Sequence, residues 1–244
     1  AVIYDGIGDL FLKADLSEGR QMSVRVKYNL PERYWLSLST LEPRKNISLL
    51  IRAYTDACRV DPEAVPPLVL AGRMGWKDSE LDKILQAEGK AGQVGEGSSG
   101  NIGNARGLIK DRLIFTGFID DQDLPVVYHM AEKFIFPSKY EGFGLPPLEA
   151  LSVGTAVISS DAASLPEVLG DSAVYFENGD QKDLETLLIS AAKESKMRDV
   201  AAAEDDLTCP ETRLYSGEYQ KYRINPEYDW RRSGMRLIRE IDRI

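Results

Sequence analysis

The sequence predicts an α/β protein built on a doubly wound parallel sheet. Two observations predict this fold class. Short apolar runs alternate with amphipathic segments along most of the 244 residues, a pattern typical of strand–helix–strand units. The apolar runs are nearly continuous, as expected for strands that helices cover on both faces. Ligands of such sheets bind beyond the carboxyl ends of the strands, so the loops after the strands are expected to carry the site.

The first part of the chain predicts two strand–helix pairs. A strand over 34–38 precedes a helix for which Asn46 is the predicted N-cap. Cys58 falls on the apolar stripe of this helix, which predicts a buried structural thiol. A second strand over 67–72 precedes a helix over 78–87.

A glycine-rich segment over 88–107 interrupts the alternation. It contains seven glycines and almost no apolar residues, so we predict a flexible insertion. It lacks the Gly-Lys-Ser/Thr ending of a P-loop.

The alternation resumes after the insertion and continues to 194. The predicted strands are 112–116, 134–136, 155–160 and 173–176, and the predicted helices are 121–132, 147–153, 165–169 and 183–194. Beyond 195 the sequence becomes irregular and polar until an amphipathic helix over about 228–241. The first seven residues already resemble a strand and a turn, so we expect a further domain to precede Ala1.

Composition excludes several classes of function. The net charge is −9, whereas binding to nucleic acid needs a basic surface. Cys58 and Cys209 have no ligand neighbours at metal spacing, and His129 is the only histidine, so no metal site is predicted. No apolar run reaches the roughly 18 residues of a membrane span, and the cysteine usage favours a reducing, cytoplasmic location.

The first candidate loop follows a predicted strand and extends from Glu141 to Glu149. Gly142 and Gly144 allow a sharp bend and the close approach of a ligand. Pro147 suits the first turn of a helix, whose free N–H groups and dipole favour a diphosphate. Glu149, which we place in that first turn, has acceptor oxygens that suit a ribose diol, although the helix dipole alone would favour it there. Glu141 is either a solvated loop charge or a partner for sugar hydroxyls.

The second candidate loop follows the strand at 34–38 and includes Thr40, Arg44, Lys45 and Asn46. The Arg44 fork and the compact Lys45 charge can neutralise phosphates; the alternative is a basic surface loop. Two such loops, each at the carboxyl end of a strand, favour one shared site for a phosphorylated ligand.

These loops resemble the C-terminal half of GT-B glycosyltransferases, closest to the retaining enzymes called family 4 or group 1. The resemblance rests on the segments 41–46, 141–149 and 164–168, and it covers roughly residues 1–194. It implies a single, Rossmann-like GT-B C-terminal domain over 1–195 that binds the sugar donor. It further implies that 196–244 is an irregular segment ending in a closing helix, and that the N-terminal acceptor domain is absent from this chain.

The resemblance also implies roles for individual residues. Lys45 binds the donor diphosphate beside Arg44, and Glu141 faces the donor sugar, so these three are the predicted catalytic residues. The predicted donor-binding residues are Thr40, Asn46, Ile119, Gly142, Phe143, Gly144, Leu145 and Glu149. Many members have Arg where this chain has Thr40, and Arg44 is the candidate to substitute for it.

The activity implied is metal-independent and needs no cofactor. A sugar moves from a UDP- or GDP-sugar to a hydroxyl of a sugar or lipid-linked acceptor, in polysaccharide or glycoconjugate synthesis. The resemblance suggests front-face displacement; in a double displacement, Glu141 is the candidate nucleophile. The expected partners are the donor, the acceptor and the N-terminal domain of the same enzyme, which would also account for any membrane association. Alone, the chain is expected to bind nucleotide but transfer poorly. The alternatives are a non-catalytic nucleotide-binding module and a GT-B epimerase or phosphorylase.

Overall fold

A computed structural model describes residues 5–73, 81, 83–84, 109 and 111–203, with side chains up to 197. The predicted insertion at 88–107, most of the predicted helix at 78–87 and the predicted closing helix at 228–241 lie outside the described residues. The described strands are β1 (Trp35–Leu38), β2 (Leu68–Ala71), β3 (Leu113–Gly117), β4 (Lys133–Phe136), β5 (Ala156–Ser160) and β6 (Ala173–Phe176). The longer described helices are α1 (Asp9–Leu12), α2 (Glu18–Tyr28), α3 (Ile47–Val60), α4 (Leu124–His129), α5 (Leu145–Ser152), α6 (Leu165–Leu169) and α7 (Gln181–Ala203).

The six strands form one sheet in the order β3-β2-β1-β4-β5-β6. Every neighbouring pair is parallel. The predicted α/β class with a doubly wound parallel sheet is therefore confirmed. The chain adds strands to one side of β1 and then returns to add β4 on the other side, so the direction of winding reverses between β1 and β4. The crevice outside this switch point is where open α/β sheets bind ligands.

Both faces of the four central strands, β2, β1, β4 and β5, are largely buried, which explains why these strands are mostly apolar. The edge strands β3 and β6 are partly exposed. Along β4, Phe134 and Phe136 pack with α4 and α5, whereas Ile135 points to the opposite side and packs with α3 and α7. This alternation follows from the two-residue repeat of a strand. Cys58 is fully buried in the second cluster, which confirms its predicted structural role.

Two helices were not predicted, and two predicted helices have different bounds in the structure. The prediction did not include α1 or α2. Helix α5 begins at Leu145 and not at Pro147, because Gly144 provides a left-handed cap with φ +94°. Helix α7 continues to Ala203, so the prediction that the helical pattern stops at Glu194 was wrong. None of the described helices combines the length and the apolar character that crossing a membrane requires.

Candidate functional site

The two candidate loops meet at the switch point. The loop after β1 contains a short 3₁₀ turn, Pro43–Lys45, and the loop after β4 passes directly beside it. The backbone N–H of Lys139 donates to the carbonyl of Arg44 at 2.9 Å. Because this bond joins the two loops through their main chains, the side chains that they carry are held in one place.

Glu141 is the centre of the resulting cluster. Lys45 Nζ lies 2.6 Å from Glu141 Oε1, and Arg44 donates to Glu141 Oε2 at 3.0 Å. Ser138 Oγ donates to Oε1 at 2.5 Å. The three predicted catalytic residues are thus brought into direct contact. We call Arg44, Lys45, Ser138 and Glu141 the Glu141 cluster.

Three members of the cluster, Lys45, Ser138 and Glu141, are largely shielded from solvent. The side chains of Lys45 and Glu141 are 13% and 10% exposed, and Lys45 Nζ also lies 5.4 Å from the centre of the Phe136 ring. Burial by itself would raise the pKa of Glu141, but hydrogen bonds from Lys45 and Ser138 and the neighbouring charges outweigh it, so the pKa is lowered. Glu141 is therefore ionised at neutral pH, and its charge is offset by two cations.

Arg44 has a second acidic partner that lies nearer the solvent. Its guanidinium donates to Glu42 Oε1 at 2.8 Å and to the carbonyl of Tyr140 at 2.9 Å. The Arg44 side chain is 44% exposed. It is therefore the more accessible of the two cations, whereas Lys45 is the better shielded one.

The start of α5 offers fewer backbone donors than the sequence suggested. Pro146 and Pro147 occupy the second and third positions of the helix, and proline has no N–H. Of the first three helical residues, whose N–H positions have no partner within the helix, only Leu145 carries a donor. An anion here would depend on the N–H groups of the preceding turn as well as on the helix dipole.

The loop after β5 buttresses this turn. Ser164 Oγ donates to the carbonyl of Glu141 at 3.1 Å. A Cβ at Gly144 would lie 2.6 Å from Leu165 Cδ2, so only glycine allows this close approach in a left-handed conformation. The segment 164–168 therefore contributes by holding the backbone of the Glu141–Gly144 turn.

Glu149 lies in helix α5, whereas Glu141 lies on the loop that precedes this helix. It is the fifth residue of α5, so its predicted position in the first turn was wrong. Tyr128 OH donates to Glu149 Oε2 at 3.2 Å. Burial raises the pKa of Glu149 more than the Tyr128 hydrogen bond lowers it, and repulsion from Asp121 adds to the rise.

The other predicted donor-binding residues have varied surroundings. Thr40 and Gly142 are exposed, whereas Phe143 and Leu145 are half-buried. Asn46 occupies the N-cap position of α3 with φ 57°, but its side chain makes no capping bond, and it is 3% exposed. Ile119 packs in the core at 3% exposure, so its side chain is not accessible to a ligand and only its backbone could contact one.

Helix α2 contacts the loop after β3, which was not predicted from the sequence. Tyr28 OH donates to Asp123 Oδ2 at 2.7 Å and accepts from the backbone N–H of Asp120 at 3.0 Å. Helix α2 escaped prediction because only Val24 of its residues is buried, which leaves no apolar stripe. The three cationic residues in 20–27, followed by Tyr28, were the sequence feature that could have indicated these polar contacts.

Within the described ranges, no three His, Cys, Asp or Glu side chains come together in a way that would hold a metal ion. The Glu141 cluster holds two cationic side chains, Arg44 and Lys45, at the switch point.

Comparison with known proteins relates this site to sugar transfer. Residues 105–204 match the family described as glycosyl transferases group 1. The serotype-specific mannosyltransferase WbdA of Escherichia coli is 37% identical over 189 residues, which make up 78% of this chain and 21% of WbdA. The chain thus spans about a fifth of the length of that relative.

The fold also resembles that of solved structures. HepE of Anabaena, in complex with UDP and glucose, superimposes with a TM-score of 0.69 at 17% identity, covering 100% of this chain and 57% of HepE. The C-terminal domain of LpcC, a glycosyl transferase group 1 family protein of Francisella tularensis, gives a TM-score of 0.58 at 23% identity, covering 82% of this chain and 100% of that domain. At these identities the likeness concerns the fold, and the predicted Rossmann-like GT-B type is confirmed.

Proposed function

This chain belongs to the group 1 glycosyl transferases through residues 105–204, and we propose that it is the donor-binding domain of a retaining member. The ligand is a nucleoside diphosphate sugar, and the reaction moves the sugar to an acceptor hydroxyl. The observation that carries the proposal is the convergence of Arg44 and Lys45 on the switch point. Both cations contact Glu141 beside the carboxyl ends of β1 and β4, where a diphosphate would give them a further anionic partner.

The donor fits this edge of the sheet in one orientation. The diphosphate lies on the turn of Gly142, Phe143 and Gly144, with Lys45 and Arg44 opposite. Glu149 accepts hydrogen bonds from the ribose, because its carboxylate is an acceptor-only group one helical turn further along. The sugar then lies toward Glu141.

The chemistry we propose is electrostatic. The bond between the anomeric carbon and the diphosphate oxygen breaks, the acceptor oxygen forms the new bond, and the acceptor proton passes to the leaving diphosphate. Lys45 and Arg44 stabilise the negative charge that develops on that diphosphate. Both oxygens of Glu141 already accept hydrogen bonds, which makes this carboxylate a poor nucleophile and supports front-face displacement over a covalent intermediate. The proposed reaction uses no metal or cofactor.

A mannose donor of the GDP-mannose type is our first choice. The 37% identity to a mannosyltransferase supports it, whereas the UDP and glucose in HepE accompany 17% identity. The proposed setting is the synthesis of a bacterial surface polysaccharide, with an acceptor domain supplied by the rest of the enzyme and a peripheral location at the membrane.

Calorimetry tests the proposal directly. We expect the 244-residue chain to bind GDP, UDP or ADP selectively, and the matching sugar nucleotide more tightly than the free diphosphate. Lys45→Ala and Glu149→Ala should each weaken that binding at least tenfold. Lys182→Ala is the matched control, because Lys182 is 78% exposed and pairs with Glu185 on α7.

Two results would contradict the proposal. If none of the three nucleotides binds, the chain is better described as a non-catalytic module of the same fold. If Lys182→Ala weakens binding as much as Lys45→Ala, the effect reflects general charge rather than the Glu141 cluster.

A further inference from the structure

A cluster of polar side chains fastens α2 to the segment that follows β3. Asp123 is 2% exposed and accepts hydrogen bonds from Arg20, from Lys27 at 2.6 Å and from Tyr28 OH at 2.7 Å. We call Arg20, Lys27, Tyr28 and Asp123 the α2 clamp. Asp123 is 95 to 103 residues away in sequence from the three members on α2, so the clamp joins two distant parts of the domain.

Tyr28 connects the clamp to the loop at 117–120. Its hydroxyl accepts from the backbone N–H of Asp120 at 3.0 Å while it donates to Asp123. Lys27 Nζ also contacts Asp120 Oδ2 at 2.6 Å. The positive charges of Arg20 and Lys27 balance the negative charges of Asp120 and Asp123. Because the Tyr28 hydroxyl donates one hydrogen bond and accepts another, each bond strengthens the other. The last residue of the loop is therefore fixed through its main chain and its side chain.

The rest of this loop faces the ligand edge of the sheet. Ile119 anchors it in the core at 3% exposure, but Phe118 remains 52% exposed. The Arg73 guanidinium lies 4.6 Å from the centre of the Phe118 ring, which presents a flat, cationic–aromatic surface. A loop held rigidly at one end thus keeps a large aromatic side chain in solvent.

The position of the loop suits the nucleoside part of a donor. β3 is separated from β1 by one strand, and neighbouring strands lie about 4.8 Å apart. The loop after β3 is therefore roughly 10 Å along the edge from the loop of Lys45. A diphosphate at the Glu141 cluster would bring its nucleoside to Phe118 when it extends across the end of β2.

We propose that Tyr28 is a positioning residue for nucleoside recognition. It does not touch the ligand; it holds the 117–120 loop so that Phe118 and the loop backbone meet the base. The inference rests on the proposed function and assigns to α2 a role in affinity for the nucleoside alone. The diphosphate contacts, two strands away, do not depend on it.

Tyr28→Phe removes both hydrogen bonds while keeping the ring, and calorimetry with two ligands separates the outcomes. We expect the Kd for the preferred nucleoside diphosphate to rise about tenfold, while the Kd for inorganic pyrophosphate changes less than twofold. Lys27→Met removes the second contact to Asp120. It should also raise the Kd for the nucleoside diphosphate relative to the Kd for pyrophosphate, but by a smaller factor.

Tyr34→Phe is the matched control. It removes another tyrosine hydrogen bond, from Tyr34 OH to the Val127 carbonyl at 2.6 Å, without touching the 117–120 loop, so both Kd values should stay unchanged. Unchanged nucleotide binding in Tyr28→Phe overturns the inference, as does an equal loss for both ligands or the same loss in Tyr34→Phe. If the unsubstituted chain binds neither ligand, the proposed function itself fails and the inference falls with it.

Discussion

Lys45→Met removes one charge from the Glu141 cluster and keeps most of the side-chain volume. Removing one partner of a buried ion pair costs about 3–5 kcal/mol, because the remaining charge loses its compensation. Here Arg44 and Ser138 still contact the Glu141 carboxylate. We therefore expect a smaller loss in the free energy of unfolding, about 2 kcal/mol.

The same substitution affects ligand binding for a different reason. A hydrogen bond to a charged group contributes about 1.5–3 kcal/mol, so loss of the Lys45 contact to a diphosphate should weaken binding about 10- to 150-fold. Adding Glu141→Gln distinguishes the two effects. In the double variant the buried carboxylate is gone, so stability should return to within about 1 kcal/mol of the unsubstituted chain. Binding should not recover.

Urea unfolding and calorimetry on four proteins check this prediction. They are the unsubstituted chain, Lys45→Met, Glu141→Gln and the double variant. Recovery of binding together with stability in the double variant would refute the reasoning, because Lys45 would then act only by compensating Glu141. Lys13→Met is the control; the side chains of Lys13 and its partner Asp9 are 67% and 54% exposed, so we expect a change of at most about 0.5 kcal/mol.

Two further predictions concern single carboxylates. The folded-state pKa of Glu149 is raised, so ionisation of Glu149 destabilises the fold as pH rises through that pKa. Glu149→Gln should therefore raise the melting temperature at neutral pH, and it should weaken nucleotide binding about tenfold. A lower melting temperature would contradict this prediction. Burial alone would raise the pKa of Asp123, but the hydrogen bonds from Lys27 and Tyr28 lower it overall. The Asp123 carboxylate therefore stabilises the folded state at pH values above the unfolded-state pKa of about 3.9. This contribution to the free energy of unfolding is lost as pH falls through the folded-state pKa. Asp123→Asn should therefore flatten the acid limb of a stability–pH curve from urea unfolding, and an unaltered limb would show that other groups produce it.

The strands and the position of the site could be predicted from sequence for one physical reason. Strands of a doubly covered parallel sheet are apolar throughout, so β1, β4 and β5 stand out from their polar flanks. Once these strands are identified, their following loops must lie at one edge, and the charged residues in those loops must lie near one another. The contact between Lys45 and Glu141 follows from this topology, although they are 96 residues apart.

Helix α2 shows what sequence patterns do not reveal. It is held by ion pairs of Arg20 and Lys27 to distant carboxylates rather than by an apolar face. Such a helix has no periodic signal, because its partners are set by tertiary structure. The start of α5 was misplaced for a related reason: consecutive prolines fit more than one position of a first turn, and the left-handed Gly144 decides between them.

The loops at the ligand edge depend on backbone conformations that local preference disfavours. Asn46 and Ala163 have φ of 57° and 52°, and Gly144 has φ +94°. A left-handed conformation costs a residue with a Cβ roughly 1–2 kcal/mol, and alanine has no side-chain hydrogen bond to offset it. Each of these residues adjoins a group of the site: Asn46 follows Lys45, Gly144 is the N-cap of α5, and Ala163 precedes Ser164. The Ser164 bond to the Glu141 carbonyl and the bond between the β1 and β4 loops are formed only when the chain turns at these points. The disfavoured turns and the contacts across the site therefore depend on each other, which is why the Glu141 cluster is a property of the whole edge and of no single loop.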